Sequence, residues 1–159
     1  MGAEGVSLHV LVVEDEQKWS DILAEEFERH GCTVAHARSL AAAVKHLADN
    51  HFDIVTIDMW LTKEEKKLAL KASSGWRLLL RQLQRRPDTQ VFVVSYAFES
   101  DFKRGYEGDP QSAFELGALG VGDFLSKKNF DPHKIQEWVE RVKRSKSSSG
   151  DESGGYPLG

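Results

Sequence analysis

Aliphatic residues fill Leu8 to Val13 almost without interruption, and the run stops abruptly at Glu14-Asp15-Glu16. A strand buried on both faces reads this way. Ile22, Leu23 and Phe27 then fall on one face among acidic neighbours, and Gly31 ends the pattern as a residue just past a helix would. Thr33 to Ala37 predicts a short strand. Ser39 is placed to cap a helix running through Leu47, with Leu40, Ala43, Val44 and Leu47 at helical spacing. Phe52 to Ile57 predicts the third strand, which ends at Asp58 as the first ended at acidic residues.

Beyond Asp58 the pattern changes. Thr62 to Ser74 carries the charge run Lys63-Glu64-Glu65-Lys66-Lys67, which predicts a solvated loop or one extra helical turn. A helix is expected from about Gly75 to Arg85, closed by Pro87. Val91 to Val94 is the fourth strand, ending at Ser95. Gly105, Gly108 and Pro110 break the polar stretch Ala97 to Asp109, so a long loop precedes a helix over Gln111 to Leu119. The fifth strand is expected at Asp123 to Ser126. A last helix follows from about Pro132 to Arg144, with Ile135, Trp138, Val139 and Val142 on its core face.

These elements define one domain over residues 7–144, an extension over 1–6, and a Ser/Gly-rich tail or linker over 145–159. The tail carries too few apolar residues to offset its ordering entropy, which predicts flexibility. Five strands alternating with helices predict an α/β, doubly wound parallel sheet with helices on both faces. Ligands then bind beyond the carboxyl ends of the strands, near the point where strand order reverses.

Composition narrows the function. The chain has 159 residues and a formal charge of -4, which gives no electrostatic reason to expect direct nucleic-acid binding. Cys32 is the single cysteine, which excludes an internal disulfide and fits the cytoplasm. No apolar run reaches the roughly 18 residues of a membrane span, so no membrane association is expected. The six histidines show no ligand spacing, and Gly117, Gly120 and Gly122 precede no phosphate-loop lysine.

The strand ends supply Glu14 and Asp15, Asp58, Ser95 and Lys127. Gathered carboxylates repel one another unless a cation separates them, and Mg2+ suits oxygen donors. A carboxylate beside such a cation can attack a phosphoryl group, with Asp58 the best-placed nucleophile. Ser95 can hydrogen-bond one phosphoryl oxygen and Lys127 can pair with another.

With Val-Val-Glu-Asp-Glu at 12–16, Thr-Ile-Asp-Met-Trp-Leu at 56–61, Val-Val-Ser-Tyr-Ala at 93–97 and Gly-Val-Gly-Asp-Phe-Leu-Ser-Lys at 120–127, the chain resembles the receiver domain of two-component response regulators over residues 7–144. The resemblance implies a flavodoxin-like sheet and a signalling phosphoprotein that assists only its own phosphorylation and dephosphorylation, so not an enzyme in the turnover sense. It makes Asp58 the phosphoacceptor and assigns Mg2+ or Mn2+ to Asp15, Asp58, a water held by Glu14, and the backbone carbonyl of Trp60. Ser95 and Phe124 match the family's switch pair, and Lys127 its phosphate-contacting lysine. Implied partners are a histidine kinase or phosphotransfer protein, a downstream protein of unknown kind, and a second copy in a homodimer.

The chain departs from the family pattern at Lys128, where a proline is usual, and at Tyr96, where a small residue is usual. One alternative is a receiver that acts as a phosphorylation-independent interaction module, but the retained Asp15, Asp58 and Lys127 argue against it. Another is a phosphatase or nuclease on a similar sheet; it would need a second acid two positions after Asp58, where Trp60 stands.

Overall fold

The computed structural model describes residues 7–58, 79–95 and 120–155, and for Ser95 and 148–155 the backbone alone. Trp60, Tyr96, the expected loops 62–74 and 97–109 and the expected helix 111–119 lie outside these residues. The described elements are β1 (His9–Val13), α1 (Gln17–Arg29), β2 (Thr33–Ala37), α2 (Leu40–Asp49), β3 (Ile54–Ile57), a helical segment α3 over 79–84, β4 (Gln90–Ser95), β5 (Val121–Ser126) and α4 (Pro132–Gly155). All strand pairings are parallel, in the order β2-β1-β3-β4-β5. The doubly wound α/β expectation therefore holds, and strand order reverses at β1 and β3.

Alternation along each strand divides the core in two. Leu11, Val13, Val55, Ile57, Val91 and Val93 pack on one face with Ala43 and Leu47 of α2 and Leu79, Leu80 and Leu83 of α3. Val10, Val12, Ile54, Phe92, Val94 and Leu125 pack on the other with Leu23 and Phe27 of α1 and Ile135, Trp138, Val139 and Val142 of α4. Residues 10–13 of β1 and all of β3 thus meet apolar surface on both faces, which is why β1 lacks the polar alternation of a one-sided sheet. Trp138 is fully buried, with its ring parallel to Phe92 at a centroid distance of 4.3 Å. Its indole N–H donates to Asp123 Oδ2, which also pairs with Lys134 at 3.0 Å, tying α4 to β5.

Local chemistry sets the boundaries. Ser39 accepts from the Ala42 amide and so caps α2, as its position predicted. α1 ends in a reciprocal turn: the Gly31 amide donates to Glu28 O and the Cys32 amide to Phe27 O. Gly31 sits at φ +81°, a conformation that a Cβ would strain.

Three expectations are corrected. The buried stripe of α1 is Trp19, Ser20, Leu23, Ala24 and Phe27, with Ile22 only half-buried, because Trp19, Leu23 and Phe27 recur every four residues and Ile22 falls at the edge of that stripe. Val44 of α2 is exposed. The last helix does not stop at Arg144 but runs to Gly155, and Lys146 within the expected tail pairs with Asp53. A count of apolar residues misses that anchor because an ion pair to a buried carboxylate makes it.

Candidate functional site

Backbone pairing sets the site before any side chain does. The Glu14 amide donates to Ala37 O at 2.9 Å and the Asp58 amide to Val13 O at 3.1 Å, locking the ends of β2, β1 and β3 side by side. The residue that follows each buried strand must therefore project at the same rim. Lys127 follows β5, two strands further on, and its four-carbon stem spans the distance.

The Lys127 ammonium lies 2.7 Å from Glu14 Oε1 and 3.0 Å from Asp58 Oδ2. The three side chains are 0 %, 1 % and 3 % exposed, so water screens none of these charges. Two buried carboxylates share one cation, and the balance falls on Glu14. Burial first, and then the neighbouring Asp58 charge, push its carboxyl from the ordinary 4.5 up to about 8 against the pull of Lys127. For Lys127, burial works against the charge, yet Asp58 and Glu14 outweigh it and hold its pKa above the ordinary lysine value.

Asp15 completes the rim. Its Oδ1 is buried with no hydrogen-bond partner among the described residues, an unmet acceptor of the kind that costs stability unless a donor or cation reaches it. Carboxylate oxygens of Glu14, Asp15 and Glu16 lie within 4.8 Å of one another, and the Glu16 amide donates to Glu14 Oε2. Oxygen-only donors, an excess of negative charge and an unmet acceptor fit a hard divalent cation.

Of the residues read from the sequence, Glu14, Asp58 and Lys127 are brought into direct contact, with Asp15 beside Glu14. Ser95 ends β4 in register with Ser126, the residue before Lys127. Phe124 is half-buried, pairs with Val93 in the sheet and packs against the α2-side core. Among the described residues no peptide bond is cis, the one after Lys127 included.

Two neighbours escaped the sequence reading. Glu16 was passed over as part of an acidic run. Trp19 lies four residues before Leu23 and eight before Phe27, a spacing that already put it on the buried face of α1. Its ring centre is 5.4 Å from Lys127 Nζ, and its edge meets Phe130.

Residues 10–140 match the sequence profile of the response regulator receiver domain. No curated protein sequence matches the chain. A response regulator from Thermotoga maritima is 20 % identical, with a TM-score of 0.65 over 87 % of this chain and 99 % of that one. A CheY-like receiver domain protein from Methanospirillum hungatei JF-1 is 14 % identical, with a TM-score of 0.69 over 91 % and 99 %. NtrX from Brucella abortus, solved with ADP, is 21 % identical with a TM-score of 0.66; the match covers 94 % of this chain but only 29 % of that longer protein. At these identities the structures share the fold.

Proposed function

This chain belongs to the response regulator receiver family, and from that premise we propose that it accepts a phosphoryl group on Asp58 and changes its contact surface in response. The observation that carries the reading is the buried Lys127 ammonium between Glu14 and Asp58, beside the unmet Asp15 oxygen.

An Asp58 carboxylate oxygen attacks phosphorus, the new O–P bond forms, and the bond to the donor breaks with its electron pair leaving on the donor. Glu14, Asp15 and Asp58, with the Trp60 carbonyl, would hold Mg2+ or Mn2+, whose charge offsets the repulsion between carboxylate and phosphate. Lys127 moves from the carboxylates to a phosphoryl oxygen, a transfer that suits a mobile point charge on a long stem. Ser95 takes the hydroxyl role and Phe124 the aromatic role in the switch, a reading supported by the register in which Phe124 pairs with Val93, two residues before Ser95.

The donor would be a histidine kinase or phosphotransfer protein in the cytoplasm, and the output would pass to another protein or through a homodimer. The chain would assist its own phosphorylation and dephosphorylation without turning over a substrate. Among the described residues no helix is long and apolar enough to cross a membrane.

Intact mass after incubation with acetyl phosphate and Mg2+ tests the reading. The expected result is one added phosphoryl group, about 80 Da for that group, lost in Asp58→Asn. No addition to wild type, with Mg2+ binding verified separately, would instead favour a receiver that works by constitutive protein contact.

A further inference from the structure

We propose that Trp19 is a positioning residue for Lys127, its indole face setting where the ammonium points when it exchanges a carboxylate for a phosphoryl oxygen. This rests on the phosphoacceptor reading. Trp19 is buried on the core face of α1. Its ring lies 5.4 Å from Lys127 Nζ and meets Phe130 edge-to-face, with centroids 5.3 Å apart and planes at 68°.

The chain reaches this arrangement by a local turn. Ser126 Oγ accepts from the Lys128 amide at 3.1 Å and the Asn129 amide at 3.4 Å, bending the backbone just after Lys127. Phe130 is thereby returned to α1, and Trp19 and Phe130 form a corner beside the lysine. A lysine stem has four rotatable bonds, and an ammonium accepts partners from many directions. Glu14 and Asp58 fix that direction while both are paired with it. The attraction of a cation to a desolvated indole face does not depend on which anion the lysine holds, so it persists through the exchange. Without the ring, the ammonium samples orientations that miss the phosphoryl oxygen, and phosphorylation slows although Lys127 is present.

The test is a double-mutant cycle on the rate of Asp58 phosphorylation by acetyl phosphate with Mg2+. Trp19→Leu is expected to slow the rate about fivefold, an effect in the range of one cation–aromatic contact, and Trp19→Phe to recover most of it. In a Lys127→Met background, Trp19→Leu should cause no further slowing. An equal slowing in both backgrounds would show that Trp19 acts through general packing and would overturn the proposal.

A second measurement needs neither metal nor phosphate. In metal-free protein the Lys127 ε-CH2 proton signals should lie upfield of ordinary lysine signals because of the indole ring current, and return toward them in Trp19→Leu. Ordinary lysine positions in the wild type would overturn the proposal outright. If wild type takes up no phosphoryl group while these signals are shifted, the phosphoacceptor reading fails and the positioning role falls with it, leaving only the contact between Trp19 and Lys127.

Discussion

Two aspartates bracket β3, Asp53 just before it and Asp58 just after, and their surroundings are opposite. Asp53 Oδ2 accepts from the His9 amide at 2.8 Å, and its Oδ1 meets Lys146 of α4 and His51. Burial works against its charge, but Lys146, the His9 amide and His51 together hold its carboxyl below the usual aspartate range. Asp58 shares Lys127 with Glu14, and burial, together with the neighbouring Asp58 charge, drives the Glu14 carboxyl up to about 8. One end of the strand is a satisfied joint between β1, β3 and the last helix. The other is held in an electrostatic conflict that an incoming cation would relieve. Conflict kept at one rim of an otherwise well-paired sheet is the physical mark of a site.

The largest expected effect comes from removing the shared cation. Lys127→Met takes the shared ammonium away from two buried carboxylates and should lower the stability of metal-free protein at pH 8 by about 3–5 kcal/mol, read by urea unfolding. Mg2+ should restore part of that loss. An unchanged urea midpoint would mean that Glu14 and Asp58 are solvated and that the conflict does not exist.

The comparison is sharpened by making the same substitution at both ends. Asp53→Asn should cost about 1–3 kcal/mol, because an amide cannot replace a carboxylate facing an ammonium and a backbone N–H. Asp58→Asn should leave stability unchanged or raise it, since it removes one of two competing charges. Equal destabilisation by both would erase the distinction between joint and site.

A smaller effect separates the ends by pH. The Glu14 carboxyl is raised from 4.5 to about 8 in the folded state, so the folded protein binds more protons than the unfolded chain between those values. Stability contributed there is full below about pH 4.5 and is lost as pH rises through about 8. Metal-free wild type should therefore lose at least about 1 kcal/mol over that window, and Glu14→Gln should flatten the slope. Asp53 has the reverse sign: its carboxyl is lowered, so its contribution is present above the ordinary aspartate pKa of 3.8 and is lost as pH falls below it. A slope unaltered by Glu14→Gln would place the titration elsewhere.

Much of this was legible in the sequence for a simple reason. The buried strands β1 and β3 end where their first charged residue stands, so Glu14 and Asp58 could be read off as strand ends, while Lys127 was read from its place after the apolar Phe124-Leu125 although β5 carries Asp123 within it; their type named the chemistry. Ser39 and Gly31 were legible because capping is local. What escaped depends on contacts between distant elements. Asp53 looked like any polar residue at the start of a strand until Lys146, within the expected tail, was found against it. Asp123 gave no sign that Lys134 and Trp138 both converge on it. Trp19 was legible by spacing from Leu23 and Phe27, but a helix face alone does not reveal a lysine arriving from β5.

The central claim, that Asp58 is the residue that carries the phosphoryl group, is tested most directly by borohydride reduction of the phosphorylated protein. The reagent converts an acyl phosphate to an alcohol, and peptide mapping then locates the altered residue. The account predicts a single homoserine in place of Asp58. Homoserine at Asp15, or none in protein that has gained a phosphoryl group, would contradict it.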